Sequence, residues 1–238
     1  VVNWFRRSRR RVEAPTLRPR SEDLAADRRD LHEFTPPLPE FLGRAAYVQL
    51  MLFEALSRAV VAAPTTAAKA AIGQAADISI GKHRALAEEI ARTGGAVAEA
   101  MEPYRAAADD FERRTRGADW YEAVMTCYLA AGFLDDFFVR LAAGLPAGER
   151  DRVVAIYESE SGEPFLAAEL ENATADNERL AARLAMWGRR LVGDTMLVAR
   201  DALQLSGSDA GDEQRVEPVF TDLIATHTRR MDALGLTA

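Results

Sequence analysis

Histidine and cysteine are what this 238-residue chain has least of: His32, His83 and His227 are its only histidines, and Cys127 is its only cysteine. A single cysteine excludes an intrachain disulfide framework and a thiolate zinc site, and it fits a reduced, cytoplasmic compartment. Because Cys127 sits in an apolar helical stretch, it reads as core packing. The chain also lacks a run of about 18 uncharged apolar residues, the usual mark of a transmembrane helix. The nearest candidate, 45–63, is interrupted by Glu54 and Arg58. No apolar segment of the secretory kind follows the arginines near the start. Sustained alternation of β-branched residues between turn signals is missing, which argues against a sheet. So are a phosphate-cradling glycine loop and a nucleophile elbow, which removes two large enzyme classes.

What is present is charge, unevenly placed, and helical periodicity. The net charge is -7, yet residues 1–20 carry seven arginines against one acid, Glu13, leaving +6 there and -13 in the rest. Arg6, Arg7, Arg9, Arg10 and Arg11 follow Trp4 and Phe5. Such an arm suits tRNA, another nucleic acid or an anionic membrane surface, because contact with phosphates releases counterions. The competing reading is a disordered, solvated tail. Residues 1–37 are expected to be this arm and a linker, closed by Pro36, Pro37 and Pro39.

From Glu40 to Ala63, Tyr47, Leu50, Met51, Phe53 and Leu56 recur with helical spacing, ended by Pro64. Thr65 and Thr66 suit the cap of a second helix that stops at Gly94 and Gly95. A polar segment over 99–116 reads as a connection with its own helix. A third long helix is expected from Trp120 to about Ala143, behind a capping Asp119. A fourth is expected from Pro146 towards Leu170, kinked beside Glu163 by Pro164. Residues 177–205 predict a fifth helix, 206–211 a flexible break, and 213–234 a last helix packed on the outside. Four long helices in two hairpins predict an all-α, ferritin-like four-helix bundle over 38–205 with additional C-terminal helices.

The stretches 52–54 (Leu-Phe-Glu), 117–120 (Gly-Ala-Asp-Trp), 136–137 (Asp-Phe) and 183–193, which contains Trp187-Gly188-Arg189-Arg190, carry a family resemblance. Over roughly residues 40–205 the chain resembles the actinobacterial branch related to tRNA 2-methylthio-isopentenyladenosine hydroxylases. The resemblance implies a ferritin-like fold and a di-iron centre that activates oxygen to hydroxylate a tRNA base. Six ligands are then expected: one carboxylate from each of two helices and a Glu-x-x-His pair from each of the other two.

Carried across by position, Glu54 matches the first carboxylate, His83 the histidine of the second helix and Glu160 the carboxylate of the fourth. Ile80, Ala131 and Glu163 stand where another glutamate, a carboxylate and a histidine belong. Helical phase offers Asp135 as a substitute for Ala131, the motif offers Asp136, and Asp77 lies one turn before Ile80. A set of Glu54, His83, Asp135 or Asp136, Glu160 and Glu163 suits iron or manganese, and its oxygens tolerate magnesium or calcium. Acids around a metal-free cavity would instead need cations, for which Lys82, Arg84 and Arg140 are the candidates. Three functions stay open: an oxygen-dependent tRNA hydroxylase, a non-catalytic scaffold, and a non-redox metal-binding protein. Pairing of bundles into a homo-oligomer is compatible with each.

Overall fold

A computed structural model describes residues 31–203 and 209–236, so the basic arm at Arg6–Arg11 lies outside the described residues. Eight α-helices are seen among them: α1 (Leu38–Ala62), α2 (Thr66–Arg92), α3 (Val97–Thr115), α4 (Trp120–Leu141), α5 (Ala147–Glu158), α6 (Glu163–Thr174), α7 (Glu178–Asp201) and α8 (Asp209–Ala233). Their ends follow local chemistry. Pro39 stands in the first turn of α1, where a missing N–H costs nothing. The Thr65 hydroxyl accepts from the Ala68 amide at 3.1 Å and starts α2. Gly94, at φ +83°, supplies the left-handed residue that ends it. Asp119 accepts from the Glu122 amide at 3.0 Å, while the Glu122 carboxylate accepts from the Ala118 amide at 2.7 Å. This reciprocal arrangement fixes the entry to α4.

α1 pairs with α2 and α4, and α6 closes the ring between α2 and α4, so the four-helix bundle is α1, α2, α4 and the α5–α6 pair. α3 lies on α1, α7 on α4, and α8 on both α4 and α7. By length and composition alone α1 is apolar enough to cross a membrane. Here it is a core helix of the bundle, with Leu42, Ala45, Leu52 and Leu56 buried against its neighbours.

Three expectations are corrected. Residues 31–35, inside the anticipated linker, are packed: Leu31 and Phe34 are buried and the Thr35 hydroxyl donates to the Leu141 carbonyl at 2.5 Å. The fourth bundle helix is broken into two, because Pro164 needs a first-turn position and Gly162 packs directly on Ala75 of α2. The last helix is not peripheral. α8 buries Val219, Leu223 and Met231, and two glycines admit it. A Cβ at Gly188 would lie 2.4 Å from the Met231 sulfur, and one at Gly132 would lie 2.3 Å from Arg230 Nε. The Trp187-Gly188 stretch is therefore a seat for α8, reinforced by His227 Nε2 donating to the Gly188 carbonyl at 3.1 Å.

The apolar core falls into two clusters. One gathers Phe41, Val48, Leu86, Phe137 and Phe138; the other gathers Leu56, Ile72, Tyr128, Leu166 and Leu184. Between them, along the bundle axis, lies a polar layer.

Candidate functional site

The polar layer encloses a chamber of about 200 Å³. Its groups come from six helices: Gln49 of α1, Ser79 and Lys82 of α2, Asp135 and Asp136 of α4, Tyr157 of α5, Glu163 of α6 and Arg230 of α8. Helical phase puts them there. In α2 the buried residues run Ile72, Ala75, Ser79, Lys82, Leu86 and Ile90, one face at three- and four-residue steps. In α1, Gln49 lies midway between buried Leu42 and Leu56, seven residues from each.

Two ion-pair clusters fill the layer. Lys82 Nζ, on a side chain only 5% exposed, donates to Asp135 Oδ2 at 2.5 Å, and Gln49 Nε2 donates to Asp135 Oδ1 at 2.7 Å. On the other side Arg230, 13% exposed, donates from Nη1 to Asp136 Oδ2 at 2.8 Å and from Nε to Glu163 Oε1 at 3.0 Å. Burial pushes the Asp135 carboxyl above its ordinary range, against the pull of Lys82 and Gln49. Burial alone would lower the Arg230 guanidinium, but hydrogen bonding and charge from Asp136 and Glu163 raise it, so it stays protonated. The Tyr157 hydroxyl is buried without a hydrogen bond, and burial with the nearby Asp135 charge raises its pKa well above the usual phenol value. Its ring centroid lies 5.7 Å from Lys82 Nζ. Three acids thus face two cations, each acid engaging at least one oxygen.

The structure separates the residues named from the sequence. Asp135, Asp136 and Glu163 line the chamber; Glu54, His83 and Glu160 do not. Glu54 is exposed and lies 3.9 Å from Arg58, because α1 turns Gln49 rather than Glu54 towards the bundle axis. His83 is one residue out of phase with the inward pair Ser79 and Lys82, and its Nδ1 lies 2.9 Å from the Ala46 carbonyl oxygen of α1. Glu160 falls in the break before α6, where with Asp77 it borders a surface hollow on the far side of Ile78. Of the proposed pairing cations, Lys82 enters the layer, Arg140 pairs with Asp222 at 2.5 Å, and Arg84 is exposed. Asp135 and Asp136 both face the chamber, on its Lys82 side and its Arg230 side respectively.

These positions do not fit a two-metal centre of the expected kind, since the imidazole is turned away and the inward acids already hold cations. Among the described residues no group of three or more His, Cys, Asp or Glu is placed to hold one metal ion. Gln49, Ser79, Tyr157 and Arg230 were not anticipated. The first two are recoverable from the seven-residue spacing of buried positions, whereas Arg230 lies 67 residues from Glu163 and 94 from Asp136 and has no local signature.

A family model described as "Ferritin-like domain, actinomycetes" matches residues 34–204, most of the chain. No curated protein matches it.

Proposed function

We propose a non-catalytic role, as a helical binding or scaffold protein, for a chain that belongs to the actinomycete ferritin-like domain family. In this reading the metal site implied by the resemblance is degenerate, and the protein's own cations stand where metal charge would otherwise be required. The observation that carries the reading is the engagement of all three inward acids by Lys82 and Arg230. A fixed ammonium and a fixed guanidinium supply positive charge to buried carboxylates without an exchangeable ion, and evicting them would leave charge unpaired. An oxygen-dependent tRNA hydroxylase, or a non-redox manganese protein, would need that eviction and an inward rotation of His83.

The test is elemental analysis of protein purified from cells supplied with excess iron or manganese, together with melting curves before and after chelation. The expected result is no stoichiometric metal and an unchanged melting temperature. Two irons per chain, lost in Glu163→Gln, would overturn the reading and favour the hydroxylase. One manganese per chain without oxygen consumption would overturn it in favour of a metal-binding protein.

A further inference from the structure

We propose that the chamber of the polar layer, together with an acidic hollow outside it, binds a linear aliphatic diamine, one ammonium held inside and the other at the surface. The proposal rests on reading that layer as free of metal, and it starts from a charge count. The charged groups lining the chamber are Lys82, Asp135, Asp136, Glu163 and Arg230. Asp135 and Lys82 close on each other, and each Asp135 oxygen accepts a bond, the pattern of an ionised carboxylate. Arg230 faces two acids, so its side of the chamber keeps one negative charge. Asp136 engages it through Oδ2 and Glu163 through Oε1, which leaves Asp136 Oδ1 and Glu163 Oε2 as free acceptors among the described residues.

An independent observation points to an occupant. The Tyr157 hydroxyl lines the chamber, is buried and has no hydrogen-bond partner, whereas polar atoms shut away from water normally have one. An ammonium brings three donors and no acceptor, which suits a phenol oxygen and two free carboxylate oxygens. The chamber, at about 200 Å³, is below the roughly 300–1,000 Å³ of pockets for drug-sized ligands, so its occupant is small and unbranched. The way in supplies the second charge. Ile78 and Ser161 line both the chamber and the surface hollow, and exposed Ser161 sits in the break between α5 and α6. Asp77 and Glu160 are the charged residues lining that hollow; both are exposed, and neither is in an ion pair among the described residues. Ile78, Pro164 and Phe165 offer apolar contact between the two charged ends. A negative chamber, an apolar passage and a negative rim match a cation at each end of a short alkyl chain.

Isothermal titration of the full chain, chelator-treated and assayed for metal, with α,ω-diaminobutane, α,ω-diaminohexane, butylamine and butanoate tests the proposal. Saturable one-to-one binding of at least one diamine is expected, with butylamine about fivefold weaker for want of the surface contact and butanoate not bound. Tyr157→Phe should weaken the diamine about tenfold, the worth of one hydrogen bond to a charged group, without lowering the melting temperature. Glu163→Gln should abolish binding by cancelling the surplus charge. Asp77→Asn with Glu160→Gln, both at the surface and away from the core, should bring the diamine down to the level of butylamine. Metal-free protein that binds neither diamine, full affinity in Tyr157→Phe or in the folded surface double variant, or equal binding of diamine and butanoate would each overturn the assignment and leave the metal-free reading of the layer standing. Stoichiometric metal that survives in the purified protein would overturn that reading, and this proposal with it.

Discussion

Replacing Lys82 with methionine isolates the energetics of the polar layer. The substitution keeps the unbranched stem and removes the ammonium, leaving Asp135 with Gln49 as its donor. Truncating one partner of a buried ion pair costs about 3–5 kcal/mol, mostly as the penalty of an uncompensated charge. Asp135 retains 23% side-chain exposure and one hydrogen bond, so the lower figure applies. A loss of about 3 kcal/mol in a domain of this size should lower the melting temperature by about 6–12 °C. The double variant Lys82→Met with Asp135→Leu removes both charges and should return most of that loss, because apolar replacement of a buried pair is commonly neutral or stabilising.

The pH dependence has a definite sign. Burial raises Asp135 above its ordinary 3.8, so the folded state binds this proton more tightly than the unfolded state. The resulting stability is fully present below 3.8 and is lost as pH rises through the folded-state value. Without Lys82 the folded-state value climbs further, so the deficit of Lys82→Met should shrink as pH falls from 7.5 towards 4. Denaturant unfolding at several pH values measures this. A single variant within about 1 kcal/mol of wild type, or a double variant no better than the single, would refute the reasoning.

Gly43 and Gly81 should respond to alanine in opposite directions. A Cβ at Gly43 would lie 2.1 Å from the Ala100 carbonyl oxygen, a backbone atom that cannot swing aside, so Gly43→Ala should cost about 3 kcal/mol by forcing α1 and α3 apart. Exposed Gly81 in α2 meets nothing within 4 Å, and Gly81→Ala should stabilise by about 0.5–1 kcal/mol; denaturant melts check both. His227 gives a separate pH signature, because burial lowers its pKa and its Nδ1 has no partner. Its neutral form contributes stability above the ordinary 6.5 that is lost as pH falls below it, up to about 1.4 kcal/mol by pH 5.5. His227→Gln should flatten the unfolding free energy over that interval, and an unchanged slope would refute the assignment.

Much of the helical architecture was legible because its signals are local. Pro39, Thr65, Gly94 and Asp119 each mark a helix end through chemistry within a few residues. The candidate site was legible only in part, and the reason is phase. A motif counted by spacing puts Glu54 and His83 inward, but the buried stripes of α1 and α2 run through Gln49 and through Ser79 and Lys82. An offset of one residue turns a helical side chain by about 100°, enough to exchange a metal ligand for an ammonium. Arg230 was beyond reach for another reason. Its place follows from Gly132 and Gly188 admitting α8, a tertiary event that no stretch around Arg230 records.

The polar layer that divides the core has a consequence for how the helices find one another. Leucine and phenylalanine layers are nearly interchangeable, so an all-apolar bundle tolerates sliding of one helix past another by a turn, about 5.4 Å. Here such a slip of α2 along α4 would carry Lys82 away from Asp135 and press its ammonium towards Phe137 and Phe138 of α4 or the apolar residues at the other end. The misregistered bundle would be excluded by its charges even where its shapes still fit, as a single polar position does in a coiled coil. Arg230 extends the same constraint to α8, whose alignment is checked at once against α4 and α6.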